Sequence, residues 1–146
     1  MRNSPKSLKI MVVEDEEDIL MLYNDFLSQK GHKVISEYPN TESIMSDLQR
    51  ETPDVYLIDY RLGVRKDGID IATEILKQNP LAPILFITGY EPLQHMISKI
   101  PVFYNRNVQV LIKPVKLDEI EDSVINITAQ TKSSASNINN FHLFLF

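Results

Sequence analysis

Apolar residues in this chain follow two alternating patterns. Short runs are apolar at nearly every position: Ile10-Met11-Val12-Val13, Val55-Tyr56-Leu57-Ile58, Ile84-Leu85-Phe86-Ile87 and Val108-Gln109-Val110-Leu111-Ile112. Between them, apolar residues recur every three or four positions. The runs predict strands and the spaced stretches predict amphipathic helices. A strand near 8–13 leads into a helix near 16–30 with Ile19, Leu20, Tyr23, Phe26 and Leu27 at helical spacing and Gly31 as its C-terminal cap. The second strand spans 32–38, and Asn40 is the N-cap of a helix presenting Ile44, Met45 and Leu48. A third strand, 54–60, precedes a loop holding Gly63 and Asp67-Gly68, and then a helix with Ile71, Ala72, Ile75 and Leu76 inward, ended by Asn79-Pro80. A fourth strand, 83–88, precedes a helix carrying Leu93, Met96, Ile97 and Ile100, which stops at Pro101. A fifth strand, 108–113, precedes a helix carrying Leu117, Ile120, Val124 and Ile127.

Strands this apolar are expected to be buried on both faces, so helices must cover both sides of the sheet. Strand and helix alternate without an internal repeat. Right-handed crossovers then give an α/β fold, a doubly wound five-stranded parallel sheet. Pattern alone leaves the strand order open.

Four of the five strand ends deliver a polar residue of chemical interest. Glu14-Asp15 follow the first run, Asp59 the third strand, Thr88 the fourth and Lys113 the fifth. Strand C-termini of a parallel sheet share one edge, where open α/β folds place their sites. Acids that hold a metal, an acid that attacks, and a hydroxyl and an ammonium that hold the product together make a phosphoryl-accepting site. A carboxylate suffices as acceptor because the loose transition state needs position and charge neutralisation more than nucleophilic strength. Taken singly, each residue has a plainer reading. Asp15-Glu16-Glu17-Asp18 complements a helix N-terminus, a strand-end Asp is usually a cap, Thr88 fills a strand, and Pro114 ends one.

The ordered set of residues resembles the receiver domain of two-component response regulators, over about residues 8–128. The resemblance implies the strand order 2-1-3-4-5, with Asp15 and Asp59 side by side. It implies magnesium as the cofactor, bound by Asp15, Asp59 and the backbone carbonyl of Arg61, with Glu14 acting through water. Asp59 is then the phosphoacceptor, Thr88 binds a phosphoryl oxygen with Gly89 leaving room, and Lys113, before a cis Pro114, supplies charge. The phosphoryl donor is a sensor histidine kinase or a phosphotransfer protein. The output is a protein partner reading the face of helix four, strand five and helix five. The chain is not expected to be an enzyme beyond autophosphorylation and autodephosphorylation.

Three departures from the receiver pattern stand out. The loop from Asp59 to Gly68 lacks the usual proline and is one residue longer. The stretch from Thr88 to Lys113 is longer by a few residues, around Pro101–Asn107. Val110 stands where receivers usually carry Tyr or Phe, the ring that moves inward when the threonine engages phosphate. Tyr90, Phe103 or Tyr104 could substitute for that ring, or simply pack the loop. Val110 also sustains the alternative of a degenerate receiver, an interaction module independent of phosphorylation. A haloacid-dehalogenase-type phosphatase wants a second acid two residues after the nucleophile, and Arg61 occupies that place.

Composition narrows the rest. The 146 residues, 43% hydrophobic and 24% charged, suit one domain with a real core. No apolar run approaches the length of a membrane span, and no apolar signal segment follows the basic residues 1–6. A cytoplasmic location is the default expectation. Cysteine is absent, so disulfides and thiolate metal sites are excluded. A net charge of −5 argues against nucleic-acid binding by this domain. Residues 1–7 are expected to be an extension and 129–146 a tail. The tail begins as a Ser, Thr and Asn-rich flexible linker and closes with the apolar Phe141-His142-Leu143-Phe144-Leu145-Phe146. About eighteen residues are too few for an effector domain, so a stand-alone receiver is expected.

Overall fold

The computed structural model describes residues 7–61 and 68–130. The elements run β1 (Lys9–Val13), α1 (Glu17–Gln29), β2 (Lys33–Glu37), α2 (Thr41–Leu48), β3 (Val55–Asp59), α3 (Gly68–Gln78), β4 (Ile84–Thr88), α4 (Leu93–Ile97), a single 3-10 turn (Pro101–Phe103) and β5 (Val108–Ile112). A last helix, α5, covers 117–130. All strand pairs are parallel and the order is β2-β1-β3-β4-β5. Residues 1–6, 62–67 and 131–146 lie outside the described residues, and with them most of the expected extension 1–7 and tail 129–146; residues 129 and 130 still belong to α5.

Side-chain alternation along the strands splits the core into two layers. Met11, Val13, Tyr56, Ile58, Ile84 and Phe86 face α2, α3 and α4. Ile10, Val12, Val55, Leu57, Leu85 and Ile87 face α1 and α5, through Leu20, Tyr23, Leu27, Ile120, Val124 and Ile127. Truncating a fully buried ring such as Phe86 to Ala would cost about 3–5 kcal/mol by lost burial and cavity formation.

Local chemistry sets the boundaries. Gly31 adopts φ 92°, and the bonds His32 N–H to Leu27 carbonyl (3.1 Å) and Gly31 N–H to Ser28 carbonyl (3.0 Å) close α1 as a Schellman cap. The Asn40 side chain accepts from Ser43 N–H at 3.0 Å and starts α2. A Cβ on Gly68 would meet Ile58 Cγ2 at 3.0 Å and Tyr60 Cδ2 at 3.4 Å, so glycine lets the start of α3 press against the sheet.

Two expectations need correction. The strands are not uniformly buried: β1, β3 and β4 are, but β2 is partly exposed and every residue of β5 is only half-buried. Both are edge strands, each with one neighbour. The fourth helix is also shorter than the spacing from Leu93 to Ile100 predicts. It ends at Ile97, and Lys99 and Ile100 form tighter bonds to carbonyls three residues back. Pro101 disfavours the helical region for the residue before it, and Ile100 is extended, with φ −97° and ψ 116°. The extra residues of this stretch become the 3-10 turn and a left-handed Asn105, with φ 59°. Phe103 anchors them, packing edge-on to Phe86 with ring centroids 6.3 Å apart.

Candidate functional site

Backbone register brings the predicted residues to one edge. Val13 pairs with Ile58, Asp59 with Ile87, and Thr88 with Ile112. The ladder continues past the strand ends through Glu14 N–H to Glu37 carbonyl (3.0 Å), Tyr60 N–H to Ile87 carbonyl (2.8 Å) and Lys113 N–H to Thr88 carbonyl (2.7 Å). Glu14, Asp59, Thr88 and Lys113 are thus held by the sheet rather than by loops.

The Asp59 side chain is only 3% exposed. Lys113 Nζ donates to its Oδ2 at 2.7 Å, while Oδ1 is buried with no hydrogen-bond partner. Glu14 is buried beside it. Its Oε1 accepts from Glu16 N–H at 2.8 Å, and its Oε2 also has no partner. Burial pushes the Glu14 carboxyl up to about 8, and the neighbouring Asp59 carboxylate adds to the effect. Asp15 is exposed, and with Asp59, Arg61, Val13 and Pro39 it lines a cleft of about 10 Å³, roughly the room of one water.

The unpartnered Asp59 Oδ1, on a residue that lines this water-sized cleft together with Asp15, and the unpartnered Glu14 Oε2 on the adjoining strand are suited to a hard cation. Unmet acceptors of this kind are costly. Among the described residues no three His, Asp or Glu side chains form a ready metal cage. Magnesium does not need one, since it keeps several waters and takes one or two carboxylates. The donor set therefore fits magnesium.

One feature of the site escaped the sequence reading. Arg61 extends a guanidinium nitrogen to 3.9 Å from both Glu14 Oε1 and Asp15 Oδ1. The same nitrogen pairs closely with Glu16. Arg61 thus presents its side chain as a tethered cation across the acids, besides its place in the cleft wall. Its position two residues after Asp59 points to the carbonyl only, and nothing in the spacing selects the direction of the side chain.

The remaining residues line the same edge or pack behind it. The Lys113–Pro114 peptide is cis. Thr88 is fully buried, and its Oγ1 accepts from Tyr90 N–H at 2.9 Å, which leaves the hydroxyl hydrogen available for another acceptor. A Cβ on Gly89 would meet no atom within 4 Å, so the space beside it is open. Val110 packs on the α4-side core. Tyr90 stacks at a tilt on Tyr60, Phe103 is buried, and Tyr104 is exposed.

Fold and site together define a receiver-type phosphoacceptor architecture, and comparison with known proteins agrees. The family model for the response regulator receiver domain matches residues 10–125. The chain belongs to that family. It is 28% identical over 131 residues to the sensory transduction protein LytR of Staphylococcus haemolyticus, covering 87% of this chain and 48% of that protein. It is 34% identical over 81 residues to the alkaline phosphatase synthesis transcriptional regulatory protein PhoP of Bacillus subtilis, covering 56% of this chain and 33% of that protein. The chain therefore spans about half or less of these two relatives. Among solved structures, NtrX from Brucella abortus superposes with a TM-score of 0.75 at 25% identity, over 92% of this chain and 29% of that one. A receiver protein from Sinorhizobium medicae superposes with a TM-score of 0.70 at 20% identity, over 86% and 98%, and shows the shared fold. Among the described residues no helix is long and apolar enough to cross a membrane.

Proposed function

We propose that this receiver accepts a phosphoryl group on Asp59 from a phosphohistidine donor, in a magnesium-dependent transfer that alters a protein-binding surface. The observation that carries the reading is the buried Asp59 carboxylate, with one oxygen on Lys113 at 2.7 Å and the other without a partner beside the equally unpartnered Glu14 Oε2. Asp15, Asp59 and the Arg61 carbonyl would hold magnesium, with Glu14 acting through water. When bound, the ion neutralises charge building on the transferring phosphoryl oxygens.

The protein's own groups do the rest. Asp59 forms the new P–O bond as the P–N bond of the donor breaks, and the imidazole leaves and takes up a proton. Lys113, fixed by the sheet, holds one carboxylate oxygen in place before transfer and offers its charge to the phosphoryl group after it. The hydroxyl hydrogen of Thr88 is available to an equatorial phosphoryl oxygen. Converting a carboxylate to a group of about −1.5 to −2 charge draws Thr88 and Lys113 toward it. Both lie beside α4, so α4, the 101–107 stretch and β5 are the elements that shift. A sensor histidine kinase or phosphotransfer protein is the donor and a further protein the reader.

Incubation with magnesium and a small phosphodonor, followed by intact-mass measurement, tests the acceptor. Wild type is expected to gain one phosphoryl group and Asp59→Asn none. Equal uptake by both refutes the assignment. Hydrogen exchange on saturation with beryllofluoride tests the output, with altered protection expected within residues 89–112. Unchanged protection there would favour a phosphate sink. The alternative, a degenerate interaction module, is favoured by Val110 and requires that wild type take up no phosphate.

A further inference from the structure

A groove of about 470 Å³ runs between α4 and β5, walled by Ile97, Phe103, Tyr104, Val108, Val110 and Gln109, and none of its lining residues is charged. This volume is in the range of pockets that bury small ligands, about 300–1,000 Å³. Valine at 110 keeps the groove open, because a ring at that position would project from β5 on the same side as the facing Phe86. β5 is moreover a sheet edge with half-buried residues throughout, the kind of edge that recruits an extended apolar segment.

We propose that the segment Phe141–Phe146 of this same chain docks in that groove. α5 delivers the following chain to the groove's rim, since Gln130 Oε1 accepts from Nε2 of Gln109, a groove residue, at 3.0 Å. Phe141 lies eleven residues beyond Gln130, across a stretch rich in Ser and Asn. A chain of that length spans at most about 40 Å, so the groove is within range. Chemistry matches as well: Phe141-His142-Leu143-Phe144-Leu145-Phe146 has five apolar residues and no Asp, Glu, Lys or Arg, and it meets an uncharged lining to which Ile97, Phe103, Val108 and Val110 contribute an apolar strip beside Gln94, Ser98, Tyr104 and Gln109. Tethering raises the local concentration of the segment to the order of millimolar, so even a weak contact is well occupied. The docked segment covers the α4–β5 face and excludes another protein from it. Docking does not depend on phosphorylation, so it stands or falls apart from the reading of Asp59.

The chain has no cysteine, so Asn140→Cys offers a single site for a nitroxide label on the full chain. Amide signals of Ile97, Phe103, Val108 and Val110 are expected to broaden, while those of the opposite face, around Leu20 and Val124, stay sharp. Phe144→Ser with Leu145→Ser, which leaves the domain's own core untouched, should abolish the broadening, and so should Val110→Tyr by filling the groove. Broadening that is spread over the surface, is absent, or survives the serine variants overturns the proposal. In a mixture of spin-labelled and isotope-labelled chains, broadening of the latter would assign the groove to a second copy and overturn docking within one chain.

Discussion

Glu14 and Asp59, at the ends of β1 and β3, lie one strand away from a second acidic pair, Glu37 at the end of β2 and Asp47 on α2. In each pair burial raises one carboxyl first and the partner acid raises it further, Glu14 to about 8 and Glu37 to about 7. Each also leaves a buried oxygen without a hydrogen-bond partner, Glu14 Oε2 and Glu37 Oε1. The surroundings differ. Asp47 is held below its ordinary range by Glu37 and by Arg50, and Ser43 Oγ donates to Glu37 Oε2 at 3.4 Å. Burial and the neighbouring Asp47 make a proton on Glu37 the natural counter-charge of that pair. Asp59 instead has Lys113, an aligned neighbouring strand bearing Thr88, and a water-sized opening flanked by Asp15. Burial of an acid therefore does not by itself mark a site. What separates the two pairs is whether a proton or a cation is the natural counter-charge.

The largest expected effect breaks the phosphoryl side of that contrast. Lys113→Ala should slow phosphorylation of Asp59 by on the order of 100-fold, as loss of a preorganised charge does elsewhere, while magnesium affinity measured by titration stays within about twofold. Asp15→Ala should do the reverse, weakening magnesium by about tenfold or more through loss of a carboxylate ligand. Equal magnesium loss in both variants would contradict these separate roles.

Arg61 sharpens the comparison from the cation's side. Its guanidinium reaches the acids where magnesium would bind, so the two positive charges compete. Arg61→Ala is expected to tighten magnesium binding by roughly threefold, a value typical of a single half-exposed charge pair. Calorimetric titration at low salt would show it. Weakened binding in Arg61→Ala would mean instead that the guanidinium organises the carboxylates for the ion.

The smallest effect belongs to the structural pair. A carboxyl raised in the folded state holds its proton more tightly there than in the unfolded chain, so its contribution to stability is complete below about 4.5 and is lost as pH climbs through about 7. Metal-free protein should therefore melt at progressively lower temperature across that window. Glu37→Gln should flatten the slope and raise Tm at pH 8 by about 2–4 °C. An unchanged slope would show that Glu37 does not titrate as its burial implies.

Sequence pattern revealed the parallel sheet because β1, β3 and β4 are buried on both faces, so nearly every position is apolar. The same rule failed at β5, where the edge position leaves Val108 to Ile112 half-exposed despite four apolar residues in five. Helical spacing also overran at α4. Ile97 and Ile100 keep the period, but the restraint Pro101 places on the preceding residue ends the helix first. At the site, Glu14, Asp15, Asp59, Thr88 and Lys113 were legible because each closes an apolar run, and strand ends in a parallel sheet must meet. Strand order came only through the resemblance. The Arg61 side chain was not legible, since a long side chain leaving a loop can point in many directions and nothing in spacing selects one. The Glu37–Asp47 contact was equally hidden, because it depends on how α2 leans on β2.

The central claim, that Asp59 is the phosphoryl acceptor of a metal-dependent site, is tested most directly by locating the group itself. After exposure to magnesium and a small phosphodonor, the acyl phosphate can be trapped by borohydride reduction and its position read by peptide mass mapping. The expected result is modification at Asp59 alone, absent when a chelator removes magnesium. Modification at another residue, or at Asp59 to the same extent with the chelator present, would contradict the account.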